Sequence, residues 1–529
     1  MNRYWNCLLL GTILAGAGVG LVRAAGEPAV RVDGGELSGY TDFNGVTSYK
    51  GIPFAAPPVG RLRWQAPQPA AAWTGRRKAD HFGNACFQNE SYSRLPWTEP
   101  YMEQGPVSED CLYLNVWTAA KSPREKRPVM VFIYGGGFNE GAGSIAVFDG
   151  TELARRGVVL VTLNYRVGPL GFLVYPDLTK ESEHASSGNY GLLDQIAALR
   201  WVHNNIAAFG GDPDRIAIFG QSAGAISVYD LMQSPLAKGL FVRAIAESGP
   251  GLLSGNILGQ ASLADREQAG VRWAEAKGAH SLADLRAMAP EQTAASNGRG
   301  GPPAPNSPVA DGWVLPALGS APPTSEVSLI VGMVADDFGV ASSAPPQRPT
   351  VASYQDAAQK KYGDMSADFL KLYPVSTDDD VIPMQKTATR DQGRVLIDVW
   401  SSNQAKISGK VYTYYFDRPI PWPAHPEFGA FHTSDVTYVF ENLGAVARPW
   451  EVVDYEVADA VSSYWMNFAA TGDPNSKGLA VWPAYKPDAH LTMEIGAKMG
   501  AMPTGSTPER QVFQLTYVQR PQQPSASGR

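Results

Sequence analysis

The run Ile216-Ala-Ile-Phe-Gly-Gln-Ser-Ala-Gly-Ala225 constrains this chain more than any other stretch. Ile216 to Phe219 is short, apolar and without polar alternation, the pattern of a strand buried on both faces. Beyond Gly224, apolar residues at 225, 226, 229 and 232 recur at helical spacing until Pro235. A serine between two such elements sits on a sharp turn. Gly220 and Gly224 let strand and helix approach closely, and the Ser222 hydroxyl is pushed into the open at the strand's C-terminal end. The Ser222 and Ala223 amides open the helix, where N–H groups without intrahelical acceptors favour negative charge. With 54 glycines in 529 residues, a Gly-x-Ser-x-Gly alone arises by chance on the order of once in a few such chains. Its meaning depends on partners elsewhere in the chain.

Other buried strands alternate with helices. Pro128 to Tyr134 is a continuous apolar run that leads into Gly135-Gly-Gly-Phe138, and Val158 to Leu163 is another such run. Three glycines after a buried strand let backbone N–H groups turn inward, as an oxyanion hole requires. Leu192 to Phe209 reads as an amphipathic helix closed by Gly210-Gly211. Ser328 to Gly332 and Val411 to Phe416 continue the strands, and Asp336-Asp337 and His432 follow them. This alternation predicts an α/β fold on a large, mainly parallel sheet. Ala29 to Tyr49 reads as a small antiparallel meander, and the proline-rich 49–64 segment as extended chain. Leu491 to Ile495 reads as a last edge strand. Residues near 250–307 and 351–409 read as helical insertions over the sheet, and the tail beyond Pro521 as disordered.

Composition limits the function. Hydrophobic residues make up 44% and charged residues 18%, the balance of a globular protein with ample core. The formal net charge of −7 and the absence of a basic patch argue against a nucleic-acid partner. Residues 1–24 read as a secretory signal peptide, with Arg3, an apolar Leu8–Val22 run and a Val22-Arg-Ala24 cleavage site, an uncleaved anchor being the alternative. That predicts a secreted or periplasmic protein, without stable membrane insertion once cleaved. Cys86 and Cys111 are then the only cysteines of the mature chain, and in an exported protein they are most simply one disulfide, with two buried thiols the alternative.

Together these segments resemble the type-B carboxylesterases, the α/β-hydrolase family that includes cholinesterases and bacterial p-nitrobenzyl esterases. The resemblance runs from about Val30 to Ile495. It rests on Gly51-Ile-Pro-Phe-Ala-Ala-Pro-Pro58, Glu109-Asp-Cys-Leu-Tyr-Leu-Asn115, Tyr134-Gly-Gly-Gly-Phe138, Asn164-Tyr-Arg166, Gly220-Gln-Ser-Ala-Gly224 and Gly429-Ala-Phe-His432. It implies a single α/β-hydrolase domain over residues 25–529. It also implies Ser222 as nucleophile, His432 as general base, and an oxyanion hole of the Gly136, Gly137 and Ala223 amides. The family acid is usually a Glu five residues after the glycine of a strand. Here that position is Asp337, followed by Phe338 where the family usually has Gly, which keeps Asp336 as the alternative acid. Cys86–Cys111 matches the family's first disulfide, and Arg63 with Glu109 a structural ion pair.

The order Ser222, Asp337, His432 is the α/β-hydrolase order. It predicts ester hydrolysis through an acyl-enzyme, with no metal or cofactor. Of the seven histidines, His425 is the rival base, and His81, His184, His203, His280 and His490 read as surface or helix positions. Aromatics of the disulfide loop, Tyr92, Trp97 and Tyr101, are candidates for contacting a small-molecule ester. The resemblance places Tyr101 where cholinesterases carry a choline-binding Trp, which argues against a choline site. The competing class is a member of the same fold that binds or adheres without catalysis. Oligomeric state is not legible.

Overall fold

The computed structural model describes residues 28–88, 94–249, 262–293, 305–318, 320, 326–337 and 349–520. The segment read as a signal peptide, Tyr92, Phe338 and the tail beyond Pro521 lie outside them. The central sheet has eleven described strands. In chain order they are β1 Tyr40–Thr41, β2 Thr47–Pro53, β3 Tyr113–Thr118, β4 Arg127–Ile133, β5 Val159–Leu163, β6 Gly211–Gln221, β7 Arg243–Glu247, β8 Ser328–Val334, β9 Val411–Phe416, β10 Leu491–Ile495 and β11 Met499–Pro503. Their spatial order is β11-β10-β9-β8-β7-β6-β4-β5-β3-β2-β1. The run from β10 to β5 is parallel throughout, and both flanks are antiparallel. Helices cover the sheet, in agreement with the expected α/β-hydrolase fold. They include α1 Tyr190–Asn205, α2 Ala223–Gln233, α3 Asp378–Gln404 and α4 Val452–Thr471.

The apolar runs become strands because each can be buried on both faces. Ile216, Ala217, Ile218 and Phe219 are fully buried, as are Val129, Met130 and Val131 beside them. The chain passes from β4 to β5 on one side, then returns to lay β6 on the other side of β4. This reversal opens a crevice at the C-terminal ends of β4 and β6, where α/β sheets bind ligands. Gly224 is needed for the closure: a Cβ there would lie 1.9 Å from the Ile133 carbonyl oxygen. Helix α2 therefore starts hard against the end of β4.

Three sequence expectations change in detail. Leu491–Ile495 is not the edge, because Met499–Pro503 pairs antiparallel outside it. That outer strand is half-exposed and contains Gly500, so it is held by backbone pairing and carries no apolar run to read. The 49–64 segment contains one 3₁₀ turn, Gly60–Leu62. A helix at Pro508–Gln519 was not foreseen; its Phe513 joins Tyr362 and Phe369 in a second aromatic cluster beside the main core. Elsewhere the predicted 250–307 and 351–409 helices are present in part at Leu263–Ala276 and Leu282–Ala287, and at Val351–Tyr362 and in α3.

Candidate active site

Ser222 occupies the turn between β6 and α2 with φ 58° and ψ −120°. A non-glycine residue there stores about 1–3 kcal/mol of backbone strain. The surroundings hold it: the Ser222 amide donates to the Glu247 carbonyl at 2.8 Å, and its carbonyl accepts from Ile226 at 3.0 Å. The Ser222 amide is thus engaged with β7. Of the two amides expected to face developing charge, that of Ser222 is already committed.

The glycine loop after β4 runs along the same turn. A Cβ on Gly135 would stand 2.9 Å from the Ser222 Cβ. Gly136 and Gly137 have φ of 108° and 61°, which only glycine adopts without strain. A Cβ on Gly136 would meet the Glu140 carbonyl oxygen at 2.2 Å. Hydrogen bonds from Asn139 and Glu140 to the Gly136 carbonyl fold the loop back on itself. Gln88 clamps its far end by exchanging two hydrogen bonds with the Gly141 backbone.

His432 lies on the long segment after β9. This segment is laid against the end of β8 through Asp336, whose amide donates to the Ala430 carbonyl at 2.9 Å and whose carboxylate accepts from the Ala430 amide at 3.1 Å. Asp336 also pairs with Arg390 at 2.6 Å. With that residue committed to the backbone and to α3, the next one, Asp337, turns inward and contacts His432 Nδ1. Its side chain is fully buried. The imidazole keeps 20% exposure. Its Nε2 lies 3.2 Å from Gln221 Nε2, which fits a ring protonated on Nδ1 with Nε2 as the acceptor. Burial pulls the imidazole's proton affinity down, but the charge and hydrogen bond of Asp337, with a further contribution from Asp435, outweigh it and raise it above the ordinary 6.5.

Ser222, His432, Gly136 and Gly137 border one cavity of about 550 Å³, with Trp97 and Tyr101 in its wall. Trp97 donates through its indole N–H to the His432 carbonyl and the Thr433 hydroxyl, both at 3.2 Å. Arg94 stacks over the Trp97 ring at 5.5 Å and forms an ion pair with Glu140 of the glycine loop. The segment 94–101 thus spans the mouth from the histidine side to the glycine side. Cys86–Cys111 brackets it as a disulfide. Arg63 makes a two-point ion pair with Glu109 at 2.6 Å, and its guanidinium also reaches the carbonyls of Leu285 and Met288.

Comparison with known proteins gives the family that the sequence motifs resemble. Residues 26–514 match the family described as Carboxylesterase family. The chain belongs to the carboxylesterase family. Among its relatives, the fumonisin B1 esterase of Sphingopyxis macrogoltabida is 36% identical over 478 residues, covering 86% of this chain and 84% of that protein. The para-nitrobenzyl esterase of Bacillus subtilis (strain 168) is 35% identical over 497 residues, 88% and 94% respectively. The acetylcholinesterase of Bungarus fasciatus is 32% identical over 506 residues, 87% and 81%.

Within this carboxylesterase, the other histidines lie elsewhere. His425 contacts Glu427 at 3.0 Å and packs on Trp422 and Phe428. His490 is bound to Asp398 at 2.7 Å, and His184 stacks on Trp313. Sequence reasoning missed Gln221, Arg94 and Glu140. Gln221 is a variable position of the serine pentapeptide, and the other two lie in loops whose partners only the fold reveals. No helix among the described residues is long and apolar enough to cross a membrane.

Proposed function

We propose that this carboxylesterase hydrolyses carboxylic esters through Ser222, His432 and Asp337 and an acyl-enzyme. The observation that carries the reading is the orientation of His432, with Nδ1 against Asp337 and Nε2 beside Gln221, the residue before Ser222, on the cavity that all three of His432, Gln221 and Ser222 border. A serine hydroxyl is a weak nucleophile until a neighbouring base takes its proton, and that base needs a fixed tautomer. Asp337 holds the proton on Nδ1 and leaves Nε2 to accept.

As Ser222 Oγ bonds to the carbonyl carbon, its proton passes to Nε2. The carbonyl oxygen gains negative charge, and the amides of Gly136, Gly137 and Ala223 supply the donors for it. The imidazolium then protonates the alkoxy oxygen; the alcohol leaves and acyl-Ser222 remains. Water attacks the acyl carbon with His432 as base, Ser222 Oγ recovers its proton, and a carboxylic acid departs. No cofactor enters this scheme.

The names of the relatives nominate the first substrates to try: fumonisin B1, a p-nitrobenzyl ester and acetylcholine. The third ranks lowest, because the resemblance puts Tyr101, buried against Phe431, where cholinesterases carry a choline-binding Trp. The disulfide supports export to an oxidising compartment, with residues 25–529 as one hydrolase domain. The competing reading is a binding protein on the same scaffold. A fluorophosphonate probe and an ester panel separate the two. The wild type is expected to be labelled at Ser222 and to turn over esters, and Ser222→Ala to lose about 10⁴–10⁶ in kcat. An unlabelled, inactive wild type would favour the binding protein.

A further inference from the structure

Behind the cavity lies a second set of acids that the proposed mechanism does not use. Glu247 ends β7 and is fully buried. Its Oε1 accepts from the Trp465 indole of α4 at 2.6 Å. Asp435, three residues beyond His432, is 1% exposed, and its Oδ2 accepts from the Tyr414 hydroxyl of β9 at 2.9 Å. The remaining oxygens, Glu247 Oε2, Asp435 Oδ1 and Asp337 Oδ2, are buried without a hydrogen-bond partner among the described residues. No Lys or Arg among those residues pairs with any of the three acids.

Three buried carboxylates gathered around Tyr414, two of them acting on the His432 imidazole, cannot all be charged. Burial, reinforced by the charge of Asp435, pushes Glu247 well above the usual carboxyl range, which favours its protonated form. Asp435 is raised to about 6, by burial first and by the Asp337 charge; the Tyr414 hydrogen bond and His432 act in the opposite direction. The groups that face Asp435 are Asp337 beyond β8, Glu247 on β7, Tyr414 on β9, Tyr101 on the disulfide loop, and His432 on its own segment. Of these, His432 is the one that becomes positively charged on protonation.

We propose that Asp435 is a positioning residue for His432, whose negative charge holds the imidazolium from behind, so that the acid limb of the activity profile belongs to the pair and not to His432 alone. The proposal rests on His432 being the base. Asp337 fixes the ring through a direct contact. Asp435 acts across space, through a charge that is present above about pH 6 and lost below it.

The test is the pH profile of kcat/KM for 4-nitrophenyl acetate, read at the isosbestic wavelength of the phenol. Asp435→Asn removes the charge and keeps the shape, so its acid limb is expected about half to one pH unit lower than wild type. Asp435→Glu restores the charge and returns the limb toward the wild-type position. Tyr414→Phe deletes the hydrogen bond to the ionised form, so Asp435 keeps its proton to higher pH and the limb again moves down. Glu247→Gln keeps the shape of the protonated acid that burial favours and leaves the limb in place. Limb position does not depend on the fraction of enzyme folded. Wild-type limbs in both Asp435→Asn and Tyr414→Phe, or a Glu247→Gln limb displaced as far as theirs, would overturn the proposal. Full activity in His432→Ala would instead overturn the reading beneath it.

Discussion

At His432 two opposing influences set the proton affinity. Burial disfavours the imidazolium; Asp337 and Asp435 favour it and prevail, so the ring holds its proton above the ordinary 6.5. Activity needs the neutral ring, so kcat/KM is expected to fall as pH drops through a midpoint above 6.5, and a pH–rate profile measures this. The sign for stability is the reverse: a raised value favours the folded state at low pH, and the contribution is lost as pH rises through the folded-state value. The neighbouring aspartates are expected to separate by function. Asp337→Asn leaves His432 with the wrong tautomer and is expected to lower kcat by about 10³–10⁴. Asp336→Asn breaks the Arg390 pair and weakens the hold on Ala430, so its main effect is expected in the melting temperature. Ser222 and His432 stand out in the sequence because their motifs are local. The resemblance puts Asp337 ahead of Asp336 by spacing alone; what separates them in the structure is the capture of the Asp336 carboxylate by the backbone of residue 430, which no local motif records.

The element that most needs its neighbours is the 94–101 segment. Trp97 ties it to the histidine segment and Arg94 ties it to the glycine loop, so it sets the spacing of those two segments and, in the proposed mechanism, of base and oxyanion donors. Trp97→Phe retains the ring and removes both indole hydrogen bonds. The expected result is a three- to tenfold drop in kcat with a melting temperature lowered by less than about 4 °C, read by steady-state kinetics and calorimetry. Replacing both Cys86 and Cys111 by Ser is expected to cost more stability, about 3 kcal/mol in the chain-entropy model, because the bridge closes a loop with a sequence separation of 25. Strands buried on both faces could be read directly from apolar runs such as 216–219 and 411–416. Met499–Pro503 could not, since a half-exposed outer strand has no such run. The tethering of 94–101 was equally hidden, as its partners are more than 300 residues away in the chain at His432 and Thr433.

Across the whole molecule, pH also acts far from the cavity. Asp417, just beyond β9, is raised to about 7 by burial and by the Glu494 carboxyl of β10. A folded-state value above the unfolded one stabilises fully below the unfolded value and is lost as pH rises through about 7. Glu494→Gln keeps a hydrogen-bonding partner and removes the second charge. Its melting temperature is expected to exceed wild type at pH 8 and to match it at pH 5.

The reversal of strand order at β4 and β6 has a further consequence. It draws the Ser222 turn and the glycine loop from two adjacent strands, whose spacing the sheet dictates. The walls above them come from unrelated stretches, such as 94–101. Lengthening or reshaping a wall therefore leaves the floor in register. Such a division of labour lets one scaffold explore new esters by changes at its rim, and it accounts for relatives sharing about a third of their residues while bearing the names of chemically unrelated compounds.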